Sequence, residues 1–397
     1  MNLRKSAILI LKSVLIDRHK ADVALDRQRT GFDARDFSLL HEIVYGVLRR
    51  YFSLEADFSR FLKQKPDDLT RLALFVGACQ LRHMRVPAHA AISETVAAVK
   101  SLAPKDAGFV NAVLRKVAGS QPPEKLKPYQ RAELPHRFYA AWRDAFGVEA
   151  VQTLAAASME KPGLAIAVFG ERDDWMRRCD VDAVAGELCD YAVLLPSGCD
   201  VPSLPGFAAG EFIVMDQAAQ AAVLALKVDA GDKVLDLCAA PGGKTALLAR
   251  LNPDADVTAV ELSEKRIARL QENLDRVGAT NVAVVQGDAT ALGFEDGSFD
   301  AILLDAPCTA SGVIRRHPDA RFIHDREDLL RHSELQKRMV AEALRVLKPG
   351  GRLVYAVCSI HQEENEQVVD AFPELQSCDR LLPSETHDGF FIARLIK

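Results

Sequence analysis

Two cysteines and a carboxylate stand at the ends of two apolar, β-rich runs. One run closes as Leu304-Asp305-Ala306-Pro307-Cys308, the other as Tyr355-Ala356-Val357-Cys358-Ser359. A lone cysteine is usually a small buried apolar residue. Two at strand ends, one beside Asp-Ala-Pro, point instead to thiol chemistry. A thiolate attacks electron-poor ring carbons and forms covalent intermediates. A third run ends in Asp236-Leu237-Cys238 and continues as Ala239-Ala240-Pro241-Gly242-Gly243-Lys244-Thr245. Small residues and paired glycines let a ligand approach the backbone closely, and a helix N-terminus favours a carboxylate or phosphate. Gly243-Lys244-Thr245 suggests a nucleotide P-loop, but the first glycine of that motif is replaced by Cys238. The dinucleotide pattern G-x-G-x-x-G is also missing. Glu261 follows Gly243 by 18 residues at the end of the next run, and Gly287-Asp288 follows the run after that. An acid so placed suits ribose hydroxyls. A second acid suits ribose or an adenine amino group. Either alone is often a helix cap or a solvated loop residue. The ordered set outlines a cofactor containing adenosine.

The elements that must carry these residues read as strand–helix alternation from residue 226 onward. Strands are expected over 233–238, 257–261, 282–286, 300–305, 352–358 and 390–396. Helices are expected over 245–251, 263–277 and 329–347. Such alternation predicts a mainly parallel sheet with helices on both faces and ligands beyond the carboxyl ends of the strands. Residues 1 to about 118 have helical spacing, as in Phe37, Leu40, Val44, Val47, Leu48 and Tyr51. Residues 121–128 are rich in proline and lysine and suit a linker. Between them and residue 226, a helix over 142–157 and a small mixed α/β piece are expected. The domain expectation is therefore 1–128, 129–225 and 226–397.

The 397 residues are 49% hydrophobic and 26% charged, values of an ordinary globular chain. No apolar stretch approaches a membrane span, and the N-terminal apolar run reads as a helix rather than a signal peptide. The net charge of -5 conceals an asymmetry. Residues 1–150 carry 25 Lys/Arg against 16 Asp/Glu, and the remainder 25 against 39. A basic front half suits a polyanion, although solvated helix faces give the same count. The eight cysteines form no C-x-x-C pair and no zinc spacing, so reduced thiols and no metal are expected.

These stretches resemble the Sun/Nop-type RNA (cytosine-5) methyltransferases, in particular those acting on small-subunit ribosomal RNA. The resemblance rests on residues 236–245, on Asp305 to Cys308 running through Ser311 to Asp319, on Cys358-Ser359 and on Asp388-Gly389-Phe390-Phe391. The helical front, with residues 86–91 and 108–114, is similar to the NusB-like RNA-binding domain of those enzymes. The resemblance implies a multidomain α/β protein: an all-α NusB-like domain, a small α/β linker domain and a Rossmann-like methyltransferase domain. It implies S-adenosylmethionine as methyl donor. Cys238, Ala239, Ala240, Pro241, Gly242, Gly243, Lys244, Glu261, Asp288 and Asp305 would hold it. It implies Cys358 as nucleophile on cytosine C6, Cys308 as an aid to product release, and Asp305 as a contact to a flipped cytosine. The expected product is 5-methylcytidine, the partner RNA, the compartment the cytoplasm, with no membrane and a monomeric chain. Transfer RNA as substrate, an inactive RNA-binding factor, and a DNA enzyme using Cys308 as nucleophile are the competing readings. Departures from the pattern are Glu261 where Asp is common, Val357 where Thr is common, no Arg-x-Asn in residues 164–170, and a short 170–205 segment. Arg315, Arg316 and His317 either contact RNA phosphate or brace their loop, and guanidinium geometry favours phosphate.

Overall fold

The computed structural model describes residues 2–397. The chain divides into two compact units. One comprises residues up to 160 together with 314–325, the other residues 161–313 together with 326–397.

The first unit is helical, built on Leu3–Leu15, Ala21–Asp26, Ala34–Arg49, Tyr51–Ser59, Asp68–His83, Ala88–Leu102 and Ala107–Ala118. Asp33 and Asp67 cap two of these by accepting from the backbone N–H groups of Asp36 and Thr70. The apolar faces read from the sequence close on one core containing Ile8, Leu11, Leu40, Val44, Leu48, Leu72, Phe75, Val110 and Leu114. Pro128–Arg131, His136–Phe146 and Val148–Met159 belong to this unit as well. The single helix expected over 142–157 is two helices, because Gly147 adopts φ +84° and breaks the ladder.

Residues 314–325 lie between the two cysteines in sequence yet belong to the helical unit. Asp319 accepts from the Ala21 N–H at 3.0 Å, and Arg49 donates to the Arg315 carbonyl at 3.0 Å. The Arg321 guanidinium is 1% exposed and donates to the Glu133 carbonyl. Phe322 packs against Tyr51 and Phe52, and Ile323 enters the helical core. Arg315 is itself buried. Its guanidinium is therefore not presented to solvent in this structure.

The second unit holds eleven strands. Four form a small antiparallel sheet of order β2-β3-β1-β4: β1 (Leu164–Val168), β2 (Val184–Ala185), β3 (Ala192–Leu195) and β4 (Phe212–Val214). Seven form the main sheet: β5 (Lys233–Leu237), β6 (Asp256–Glu261), β7 (Val282–Gln286), β8 (Phe299–Asp305), β9 (Leu347–Val357), β10 (Leu375–Leu381) and β11 (Phe390–Ile396). Their order is β10-β11-β9-β8-β5-β6-β7. β5 to β9 are mutually parallel, while β10 and β11 run antiparallel at one edge.

Alternate residues of β5 serve opposite faces. Val234 joins the cluster of Ala246, Leu247, Leu270 and Leu274, from helices Gly243–Leu251 and Glu264–Val277. Leu235 and Leu237 join Met339, Val340 and Leu344 from helix Arg326–Val346. Burial on both faces explains the near-continuous apolar runs. Each fully buried Leu or Val side chain contributes about 1.5–3 kcal/mol. Strand order reverses between β5 and β8, so the carboxyl ends of these two strands flank the crevice where a ligand is expected. Among the described residues, no helix is long and apolar enough to cross a membrane.

Candidate active site

At the carboxyl end of β5 the chain turns sharply. Cys238 has φ +60° and Gly242 φ +98°. A Cβ on Gly242 would lie 2.6 Å from Leu270 Cδ1, so this position requires glycine on steric and conformational grounds. The turn delivers the N-terminus of helix Gly243–Leu251 to the crevice. A cavity of about 170 Å³ opens there, lined by Cys238, Ala239, Ala240, Pro241, Gly243, Lys244, Asp236, Asp305, Val214 and Met215. The structure thus brings together most of the residues expected around the cofactor. Gly242 shapes the turn without lining the cavity.

Lys244 crosses the switch point. Its Nζ lies 2.7 Å from Asp305 Oδ2 at the end of β8, and its ammonium sits over the Phe390 ring at 5.3 Å. Burial works against the Lys244 charge, but Asp305 outweighs it, with a further contribution from Cys358, so the Lys244 pKa is raised. Asp236 is 1% exposed and accepts from the Thr245 hydroxyl at 2.5 Å. Burial raises its carboxyl to about 7. Burial likewise pushes the Cys238 thiol to about 12, which makes it an inert wall of the cavity.

The two acids expected to hold adenosine are placed differently. Glu261 is buried at the end of β6, where it accepts from the Ala240 N–H at 3.3 Å and the Ser263 N–H at 3.0 Å and pairs with Arg266 at 3.3 Å. It therefore anchors the turn while its carboxylate stays at the strand edge. Asp288 is exposed and accepts from Thr290 N and Oγ1 at 2.8 and 2.7 Å, and these bonds hold its carboxyl below the usual range. Neither lines the cavity.

The thiols meet. Cys308 Sγ and Cys358 Sγ are 3.5 Å apart. Their loops are joined by Gly312 N–H donating to the Cys358 carbonyl at 3.0 Å and by Ser311 and Ser359 hydroxyls at 3.0 Å. The bond to Cys358, burial and the nearby Glu364 all push the Cys308 thiol up.

S-adenosylmethionine carries a carboxylate, an ammonium and a sulfonium. The helix N-terminus at Gly243 suits the first. Asp236 Oδ1, buried and without a partner, suits a donor such as the ammonium. The residues present therefore fit the cofactor. Sequence reasoning missed Asp236, although a carboxylate inside the apolar run Val234-Leu235-Asp236-Leu237 was a visible signal. It also missed Val214 and Met215, which come from the small sheet and carry no motif.

Residues 223–394 match the family described as 16S rRNA methyltransferase RsmB/F, and residues 1–119 match the NusB family. The chain is 36% identical to the ribosomal RNA small subunit methyltransferase B of Vibrio cholerae, covering 100% of this chain and 98% of that protein. The fold matches the crystal structure of PH0851 with TM-score 0.82 at 22% identity, over 99% of both chains. A methyltransferase homolog from Pyrococcus horikoshii aligns at 28% identity and TM-score 0.60, covering 68% of this chain and 97% of that one. A two-thiol crevice near a glycine turn that opens on a cavity, and full-length similarity, agree: the chain belongs to the RsmB/F family of S-adenosylmethionine-dependent RNA (cytosine-5) methyltransferases, with a NusB-family domain at its front.

Proposed function

We propose that the substrate is a cytosine of small-subunit (16S) ribosomal RNA and that the reaction runs through a covalent Cys358–C6 adduct. The observation that carries this reading is the 3.5 Å approach of Cys308 and Cys358 beside the Lys244–Asp305 pair. Cytosine C5 is a weak nucleophile. Attack of the Cys358 thiolate on C6 moves electron density to C5. Asp305 contacts the flipped cytosine through a proton shared at N3, and with the Lys244 ammonium beside it stabilises the negative charge that develops on the ring. The bound cofactor supplies an activated methyl group. After transfer a base removes the C5 proton, the freed electron pair re-forms the C5–C6 double bond and Cys358 leaves as a thiolate; Cys308, 3.5 Å from the departing sulfur, assists release. Cys238 to Lys244, with Glu261 bracing the turn and Asp288 at the neighbouring strand end, form the cofactor side. The basic helical unit supplies charge for the RNA backbone. A monomer acting in the cytoplasm, away from membranes, completes the reading.

The test uses labelled S-adenosylmethionine with unmethylated 16S ribosomal RNA and, in parallel, transfer RNA. Label in 5-methylcytidine from the ribosomal RNA alone is expected. Label from transfer RNA alone overturns the substrate. Cys358→Ala is expected to abolish transfer and Cys308→Ala to leave a covalent RNA–protein adduct. An active Cys358→Ala, with no adduct from Cys308→Ala, overturns the assignment of roles.

A further inference from the structure

The mechanism leaves unused a buried acid next to the two thiol loops. Glu364 is 0% exposed, in the turn Gln362–Glu364 that follows β9. A carboxylate so buried is costly unless its lone pairs are filled. Here they are filled by the residues that follow the two cysteines. Thr309, next after Cys308, donates to Glu364 twice: its N–H to Oε1 at 2.8 Å and its hydroxyl to Oε2 at 2.6 Å. Asn365, next after Glu364, donates its side-chain amide to the carbonyl of Ser359, the residue after Cys358, at 3.2 Å. Gln336, fully buried on helix Arg326–Val346, donates both to Glu364 Oε1 at 3.4 Å and to the Pro307 carbonyl at 2.9 Å. Tyr355 on β9 donates its hydroxyl to the Glu364 carbonyl at 2.6 Å, which fixes the turn itself. The Glu364 side chain therefore grips the Cys308 loop one residue beyond its sulfur, while its neighbour Asn365 ties the residue after Cys358.

We propose that Glu364 is a positioning residue that holds the Cys308 loop against Cys358, and that it thereby governs release of the methylated base rather than attack. The proposal rests on the roles given to the two cysteines above. The reacting atoms of the attack belong to Cys358, whose loop is also fixed by β9 and by the Gly312 bond. Cys308 has no strand of its own beyond Asp305, so its place depends on Pro307 and Thr309, the two residues that Gln336 and Glu364 hold. Burial raises the Glu364 carboxyl, with His332 and the hydroxyls of Thr309 and Ser359 opposing. Glu364 in turn adds to the upward push on Cys308.

The test follows the covalent adduct on denaturing gels, using the full chain, S-adenosylmethionine and unmethylated 16S ribosomal RNA. In Glu364→Ala, adduct is expected to persist at least tenfold longer than in the parent protein. Cofactor affinity and the first-turnover methyl transfer rate stay within threefold. Glu364→Gln keeps an acceptor for the Thr309 N–H and is expected to restore release to within threefold of the parent. Parental release from Glu364→Ala overturns the proposal. So does an equal loss of attack and release, and so does a Glu364→Gln as slow as the alanine variant, which would place the effect on charge. If Glu364→Ala does not fold, Thr309→Val, lacking only the hydroxyl bond, carries the test: slower release supports the proposal and parental release overturns it. Cys308→Ala runs alongside. No adduct from it removes the reading of Cys308 and this proposal with it, whereas adduct from Cys308→Ala alone removes only the role of Glu364.

Discussion

Replacing Lys244 by methionine keeps the length and apolar stem of the side chain and removes its charge. The ammonium lies 2.7 Å from Asp305, with the two side chains 16% and 32% exposed. At an effective dielectric of about 20 the gross attraction at this distance is about 6 kcal/mol. Partial exposure and the cost of desolvating both ions reduce the net effect. Truncating one partner of a largely buried charge pair typically costs about 2–5 kcal/mol, and solvent access places this pair at about 2–3 kcal/mol. At about 1.4 kcal/mol per factor of ten, that slows methyl transfer by about 30- to 150-fold. The assay is single-turnover transfer from saturating labelled S-adenosylmethionine, with cofactor affinity measured separately by calorimetry. A companion Asp305→Asn and the double variant complete a cycle. If the two residues act as one unit, the double variant is no slower than the slower single variant. A Lys244→Met rate within threefold of the parent, or fully additive losses in the double variant, would refute the assignment of the pair to the reacting ring.

Two further outcomes follow from the same crevice. Burial raises the Asp236 carboxyl to about 7 from an ordinary 3.8, so its contribution to stability is fully present below about pH 3.8 and is lost as pH rises to about 7. The melting temperature of cofactor-free protein, minus that of Asp236→Asn, should therefore fall between about pH 5 and 7 and level off above; a flat difference contradicts the assignment. Gly312→Ala places a Cβ 2.4 Å from the Gly389 carbonyl oxygen, in backbone that has to shift, at a cost of about 1–3 kcal/mol. The shift loosens the Gly312–Cys358 bond, so kcat should drop at least tenfold with cofactor affinity unchanged, and an unchanged kcat counts against that tie.

The parallel strands and the glycine turn were legible because their signals are local. Val234 to Leu237, Val257 to Val260 and Ala301 to Leu304 are apolar runs buried on both faces, and the turn after Cys238 is rich in small residues. β10 was not legible: Gln376, Ser377, Cys378 and Asp379 are exposed on an edge strand and show no apolar alternation. The burial of Arg315 was not legible because guanidinium chemistry says nothing about burial, and its loop is held by a residue 266 positions away in sequence. Glu364 gave no signal at all. In His361-Gln362-Glu363-Glu364-Asn365 it looks like a solvated turn, and only the tertiary fold buries it against Thr309.

The excursion of residues 314–325 has a consequence for how the protein is made on the ribosome. The helical unit is discontinuous in sequence: Asp319 bonds Ala21 across 298 positions, and Ile323 fills the core built by the first helices. Vectorial synthesis delivers residue 160 long before residue 325. At roughly 5–20 residues per second, that unit waits about ten to thirty seconds for its last piece. Until then the seat of Phe322 and Ile323 is open on the nascent chain. Because this seat can be filled only after Cys308 has been synthesised, completion of the helical unit reports that the first thiol loop already exists.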